Sequence, residues 1–220
     1  MHTHHRVLTL HSRSLHLVTF DTSTFNDNEL LWLPHHRQLQ DAGRKRKAEH
    51  LAGRIAAVHA LREHGIKTVP DIEKSGAPCW PEGFYGSISH SGNFALAVVA
   101  HAPVGVDIET LFTNALCHEL TASITTPAEQ AILAHTSLPF PLALTLAFSA
   151  KESLFKAFSA HALPYPGFHS AQVVALDKTA IRLRIDSSFS DKLAGKYVDI
   201  AWMMHESCVI TLLAESPSGS

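Results

Sequence analysis

The 220 residues are enough for one large domain or two small ones with a substantial core. Lys and Arg total 18 against 20 Asp and Glu, and the 17 histidines, each about one-quarter protonated at pH 7, add about +4 to the formal −2. A net charge this near zero argues against bulk electrostatic capture of nucleic acid and against an acidic tail, and 45% hydrophobic residues argue against disorder.

In chain order, residues 6–20 (RVLTLHSRSLHLVTF) are rich in β-formers around a polar Ser-Arg-Ser and predict a hairpin. Residues 30–40 (LLWLPHHRQLQ) predict a helix broken near Pro34. The strongest helix signal is 44–64, where Leu51, Ile55, Val58 and Leu61 recur at spacings of four and three and Gly65 stands at the C-cap. A loop with Pro70, Pro78 and Pro81 follows, then strands at 87–90 and 94–100 around a Ser-Gly-Asn turn, and alternation again at 104–109. Thr126-Pro127-Ala128-Glu129 reads as a capping box opening a helix, and a further helix is predicted from Pro141 to Ala160. Strand-like runs close the chain at 172–176, 180–186, 197–203 and 207–214, before a tail at 216–220 expected to fray. Each half combines helices with mostly antiparallel strands, so the expected fold class is α+β, with two similarly built lobes at 1–104 and 105–220.

Cys79, Cys117 and Cys208 are far apart and form no CxxC pair, which supports neither a disulfide framework nor a cysteine zinc site. A reducing compartment is expected. The N-terminal stretch has no apolar run of signal-peptide length, and Phe140–Phe148 is too short to span a bilayer, so the chain is expected to be soluble and cytoplasmic, with peripheral membrane association left open. The histidines fit no zincin spacing: Ala122 and Val209 stand where HExxH needs its second His. His2, His4 and His5 could take up a metal adventitiously, and most of the histidines read as surface residues.

Four constellations carry chemistry. In Val104-Gly105-Val106-Asp107-Ile108-Glu109, alternation sets Asp107 and Glu109 on one face of a strand, where paired carboxylates repel unless a cation lies between them. Oxygen ligands in that arrangement suit magnesium, although hydrated edge charges would look the same. In Phe148-Ser149-Ala150-Lys151-Glu152-Ser153-Leu154-Phe155-Lys156, Glu152 offers a third carboxylate with Lys156 one turn on. Ser149-x-x-Glu152 also matches a capping box, a purely structural alternative. Arg44-Lys45-Arg46-Lys47 opens the long helix against its dipole, and Arg46, His50 and Arg54 form a polar stripe, easier to explain with an anion nearby. Gly86-Ser87-Ile88-Ser89-His90-Ser91 offers hydroxyls and an imidazole to a terminal phosphate, without a GxSxG or P-loop pattern.

In chain order RKRKAEHLAGR (44–54), WPEGFYGSISHS (80–91), GVDIE (105–109) and FSAKESLFKAF (148–158) resemble the 4′-phosphopantetheinyl transferase superfamily, and within it the enterobactin-type transferases of siderophore pathways. The resemblance runs from about residue 30 through the C-terminal strands. It implies a pseudo-twofold α+β fold with its active site between lobes, the first contacting coenzyme A phosphates and the second carrying the catalytic helix. It implies transfer of the phosphopantetheine arm of coenzyme A to a serine of apo aryl or peptidyl carrier domains, by a monomer that needs neither nucleic acid nor a transmembrane segment. Asp107, Glu109 and Glu152 match its magnesium ligands, Ser89 and His90 the group at the 3′-phosphate, Arg46, Arg54 and Lys156 basic residues near the phosphates, and Lys151 the same motif. Lys74 lies near a further basic position, and Phe148 departs from the usual tryptophan, which touches only local packing. The expected chemistry is in-line attack by the carrier serine, with Glu152 as base directly or through a metal-bound water. A metal-dependent nucleotide diphosphate hydrolase and a non-enzymatic polyanion-binding module are the alternatives. Magnesium and manganese are not separated by ligand type.

Overall fold

The first hairpin forms where β-formers flank two residues able to adopt left-handed backbone. β1 (Thr3–Leu10) and β2 (Arg13–Phe20) pair antiparallel with Leu10 opposite Arg13. His11 (φ 48°) and Ser12 (φ 60°) make the turn, in the geometry whose twist matches the strands. The helix expected at 30–40 is replaced by two 3₁₀ turns, Asp27–Trp32 and His36–Leu39. Leu33, preceding Pro34, is extended (ψ 135°), as the proline ring requires, and that stops helical propagation.

α1 (Arg44–Glu63) buries Leu51, Val58 and Leu61 together with an alanine face of Ala48, Ala52, Ala56, Ala57 and Ala60. Small side chains let the helix lie close to the sheet: a Cβ at Gly53 would stand 2.9 Å from Ile88 Cγ2. Gly65 (φ 76°) follows at the left-handed position that ends the helix. β5 (Tyr85–Ser91) and β6 (Phe94–Ala100) form the next hairpin, and all seven residues of β6 are buried, which is why FALAVVA lacks polar alternation. The sheet order is β1-β2-β6-β5. A short hairpin of β3 (Asp71–Ile72) and β4 (Pro78–Cys79) lies in the stretch read as loop, too short to show a period.

β7 (Val104–Thr110) leads into the second set of elements: α2 (Asn114–Ile124), α3 (Pro127–Ala134), α4 (Phe140–Ala157), β8 (Ala171–Leu176), β9 (Ala180–Ile185), β10 (Tyr197–His205) and β11 (Cys208–Ala214). Their sheet runs β7-β11-β10-β9-β8. α2, which the patterning did not announce, begins where the Thr113 side chain accepts from the Leu116 amide. α3 has the expected box, with Thr126 accepting from the Glu129 amide and the Glu129 carboxylate from the Thr126 amide. Ser149 lies in the middle of α4, so the alternative capping box at Ser149-x-x-Glu152 does not exist. Leu144, Ala147, Leu154 and Phe158 of this helix and the turn after it pack with Ile181, Leu183, Ile200, Phe189 and Leu213 in one core.

This computed structural model describes residues 1–215, and the expected frayed tail at 216–220 lies outside the described residues. Contacts divide the described residues into two compact units, Met1–Ile108 with Glu215, and Glu109–Ala214. Each packs helices on strands, an α+β architecture. Among the described residues no helix is long and apolar enough to cross a membrane.

Part of the histidine surplus is structural. The rings of His5 and His59 stack 3.7 Å apart and nearly parallel, and His5 Nε2 lies 3.0 Å from Nδ1 of the buried His16. His16 Nε2 is 3.1 Å from Glu63 Oε1, at ion-pair distance but not aligned as a hydrogen bond. Burial first, then the neighbouring imidazoles His59, His16 and His4, lowers the His5 pKa from 6.5 to about 4, against a smaller opposing pull from Glu63. The unfolded chain therefore takes this proton first. The contribution to stability is present above pH 6.5 and is lost as pH falls toward about 4. Melting temperature measured from pH 7 to pH 4 should fall more steeply in the wild type than in His5→Phe.

Candidate active site

The GVDIE segment shows first how a carboxylate can be buried at a strand end. Val106 and Ile108 are fully buried, as the alternation requires, but Asp107 on the other face is also only 5% exposed. The cause is β5. Ser89 Oγ donates to Asp107 Oδ1 at 2.8 Å and accepts from the Ile108 amide at 3.2 Å. Two residues earlier, Ser87 Oγ accepts from the Val106 amide at 3.0 Å. Alternate hydroxyls of β5 thus satisfy alternate amides of β7, in place of backbone ladder bonds, and the same bonding orients Asp107.

Ser89 is itself only 6% exposed, so its hydroxyl supports Asp107 from within the fold. His90 is exposed beside it, with Nδ1 3.8 Å from Glu49 Oε2.

The basic start of α1 separates into different uses. Arg44 donates to the carbonyls of Ser23 (3.0 Å) and Phe25 (2.6 Å). Lys47 donates to Asp27 Oδ2 at 3.2 Å, and Lys45 meets Glu49 at 3.7 Å on the surface. Nearby carboxylates and carbonyls, rather than an outside anion, thus explain most of the cations that oppose the dipole. Arg46 remains exposed. Arg54, two turns on, is 4% exposed: Nη2 donates to the Asp71 carbonyl at 3.2 Å, while Nε is buried without a hydrogen-bond partner. Burial outweighs the nearby Asp71 and pulls its pKa down to about 10, so it is still a cation at neutral pH. Lys74 is exposed in the β3–β4 turn.

In the second unit α4 carries Lys151, Glu152 and Lys156. Lys151 is 0% exposed, and its ammonium donates to Glu129 Oε1 at 2.6 Å and to the Ile124 carbonyl at 2.7 Å. Its donors face inward to a buried carboxylate and a carbonyl. Glu129, read from sequence only as a cap, is 1% exposed and also accepts from the Val173 amide at 2.8 Å. The signal was available: a lysine within the apolar run LALTLAFSAKESLF needs a buried partner. Burial lowers the Lys151 pKa, and Glu129 opposes that shift.

Glu152 and Lys156 stand one turn apart, both half-buried. The next face of α4 is anchored by hydroxyls: Thr145 Oγ1 accepts from the Phe112 amide at 3.0 Å, and Ser149 and Ser153 lie 2.9 and 2.7 Å from Thr211 Oγ1. These bonds fix the rotation of the helix and therefore the direction in which Glu152 leaves it. Phe148 packs against Phe112 and Phe168, with centroids 5.5 and 5.1 Å away. Glu109, half-buried at the start of this unit, accepts from the Thr110 amide at 3.0 Å.

Asp107 belongs to the first unit, and Glu109 and Glu152 to the second. Among the described residues no group of three or more His, Cys, Asp or Glu forms a ready-made metal site. As a donor set the three carboxylates are hard oxygens without nitrogen or sulfur, which fits magnesium.

Family models match both parts of the chain: one described as 4′-phosphopantetheinyl transferase N-terminal domain over residues 35–100, and one as 4′-phosphopantetheinyl transferase superfamily over 103–211. The chain is 51% identical over 214 residues to enterobactin synthase component D of Salmonella typhi, covering 97% of this chain and 91% of that protein. With the protein of the same name from Escherichia coli it shares 48% identity over 212 residues, 96% of this chain and 98% of the relative. A more distant likeness, 33% over 137 residues and 59% of this chain, is to the 4′-phosphopantetheinyl transferase PptT of Mycobacterium tuberculosis, of which it covers 58%.

Proposed function

Because the chain belongs to the 4′-phosphopantetheinyl transferase superfamily, we propose that it transfers phosphopantetheine from coenzyme A to apo aryl and peptidyl carrier domains in enterobactin-type siderophore synthesis, with the residues just described. The observation that supports this site most is the Ser89–Asp107 bond, which holds a nearly buried carboxylate at the end of β7. Asp107, Glu109 and Glu152 would hold the magnesium ion. When bound, it would neutralise charge on the pyrophosphate under attack.

The remaining work falls to the chain. Arg46, Arg54 and His90 hold the phosphates of the adenosine end, and Lys156 meets the pyrophosphate. The carrier serine oxygen attacks the phosphorus bearing the pantetheine arm. A new P–O bond forms as the bond to adenosine 3′,5′-bisphosphate breaks. Glu152 accepts the serine proton, and fixed cations receive the charge that develops on the leaving group. Positioning and electrostatics supply most of the acceleration. The cell compartment consistent with such carriers is the cytoplasm, and the enzyme acts as a monomer on coenzyme A and one carrier domain.

Incubation with coenzyme A, magnesium and a panel of apo carrier domains should add one phosphopantetheine to the carrier serine, read by intact-protein mass. Coenzyme A cleavage without any carrier would instead identify a hydrolase. No mass gain on any aryl or peptidyl carrier would refute the proposal.

A further inference from the structure

A second pair of histidines sits beneath the cationic stripe of α1. His50 lies between Arg46 and Arg54, one turn from each, so the three share a helix face. His50 Nε2 is 2.7 Å from Nε2 of His35, a ring 3% exposed at the start of the second 3₁₀ turn. His35 Nδ1 lies 3.0 Å from Asp71 Oδ1, at ion-pair distance but not aligned as a formed hydrogen bond. The Asp71 carbonyl also receives Arg54 Nη2. A chain of three titratable groups therefore runs from an exposed carboxylate through a buried imidazole to a half-buried one on the stripe.

Valence decides what this chain can do. Two nitrogens 2.7 Å apart share one proton. When both rings are neutral and His35 turns its Nδ1–H to Asp71, His50 must donate from Nε2, and its outer Nδ1 is a bare lone pair that repels an anion. With one more proton on the pair, His35 donates at both nitrogens, to Asp71 and to His50. His50 then carries its own hydrogen on Nδ1, a donor suited to phosphate.

The surroundings set the resting state. His50 faces Arg54, His35, Arg46 and His90, and burial is the largest influence, taking its pKa down to about 3. His35 faces Arg54 and His36, which lower its pKa after burial, and Asp71, which raises it. Burial first, then Arg54 beside both rings and Arg46 beside His50, disfavours an extra proton on the pair. An arriving dianion offsets those arginines and makes the extra proton favourable.

We infer that Asp71, His35 and His50 form a proton-linked anion site, in which a phosphate group is taken together with one proton from solvent. This rests on the proposal that coenzyme A phosphates bind along Arg46, Arg54 and His90. It adds His50 as a phosphate contact and makes His35 and Asp71 positioning residues that act through it.

Isothermal titration of the full chain with coenzyme A at pH 8, where the ligand phosphates are already ionised, tests this in buffers of different ionisation enthalpy. The wild type should take up a fraction of a proton that grows as pH is lowered from 8 to 7, and its affinity should rise over that range by up to about tenfold. His50→Gln and His35→Gln should bind without proton uptake, with affinity weakened about tenfold at pH 7 and nearly independent of pH. Wild-type binding without proton uptake overturns the relay and leaves the transferase proposal standing. Uptake that persists undiminished in His50→Gln places the proton elsewhere and also overturns it. No binding of coenzyme A overturns the phosphate site itself, and the relay with it. The wild-type proton count does not depend on any variant folding.

Discussion

Asp107→Asn should lower the turnover of carrier modification by on the order of 10³-fold while leaving the fold intact. Asparagine keeps the size of the side chain, and its carbonyl oxygen can still accept the Ser89 hydroxyl that Asp107 Oδ1 accepts at 2.8 Å. What it loses is a full negative charge at a nearly buried position. A ligand charge of that kind contributes several kcal/mol to charge stabilisation at a metal-assisted phosphoryl centre, and about 1.4 kcal/mol corresponds to each factor of ten. The check is turnover on an apo carrier over a magnesium titration, with the melting temperature beside it. Turnover within tenfold of wild type at low magnesium would remove Asp107 from the machinery. Ser89→Ala separates support from charge. It leaves the carboxylate present but without the Ser89 bond, so a smaller loss of turnover is expected together with measurable destabilisation.

Glu129→Ala is expected to unfold the second unit or to lower its stability by about 3–5 kcal/mol, the usual cost of breaking a buried ion pair from one side. The Lys151 ammonium would keep only the Ile124 carbonyl, and the Val173 and Thr126 amides would each lose the acceptor they now have. Glu129→Gln is a milder version that removes the charge and keeps one acceptor oxygen, enough for the Val173 or the Thr126 amide but not for both. Burial already lowers the Lys151 pKa, and without Glu129 nothing opposes that. An unfolded lysine then binds its proton more readily than the folded one, so the variant should gain stability as pH rises toward 10.5. Denaturant midpoints from pH 7 to pH 10 test this. Adding Lys151→Met to Glu129→Gln should restore much of the lost stability, because the orphaned charge is gone. A flat pH profile with no rescue would show that the pair is not coupled.

Lys151 and Ser89 both sit in segments whose composition points to phosphate chemistry, and both are bonded inside the fold. Sequence spacing reports which residues are near one another along a helix or strand, but not which of two neighbours faces solvent. Lys151 and Glu152 are adjacent in sequence, and one is wholly buried while the other is half-exposed. Arg44 and Arg46 are both exposed, yet only the first donates to the carbonyls of Ser23 and Phe25.

The local elements were legible because their causes are local. The apolar stripe and Gly65 define α1, the Thr126 box defines the start of α3, and the β-formers around His11 define the first hairpin. The break expected near Pro34 is present, with Leu33 held extended by the proline, but the pieces on either side are 3₁₀ turns rather than helix. Family membership was legible too, since four short motifs in fixed order carry it.

What the sequence determined by itself was therefore the α+β class, the run of elements and the carboxylates and cations available for chemistry. The tertiary structure alone decided how those groups are employed. It buried Glu129 against Lys151 across 22 positions of chain and bonded Ser89 to Asp107 across 18. It also set His50 on His35 across 15. The physical reason is desolvation. A polar side chain removed from water must find its partner wherever the fold brings one, and that distance in sequence carries no periodic signal.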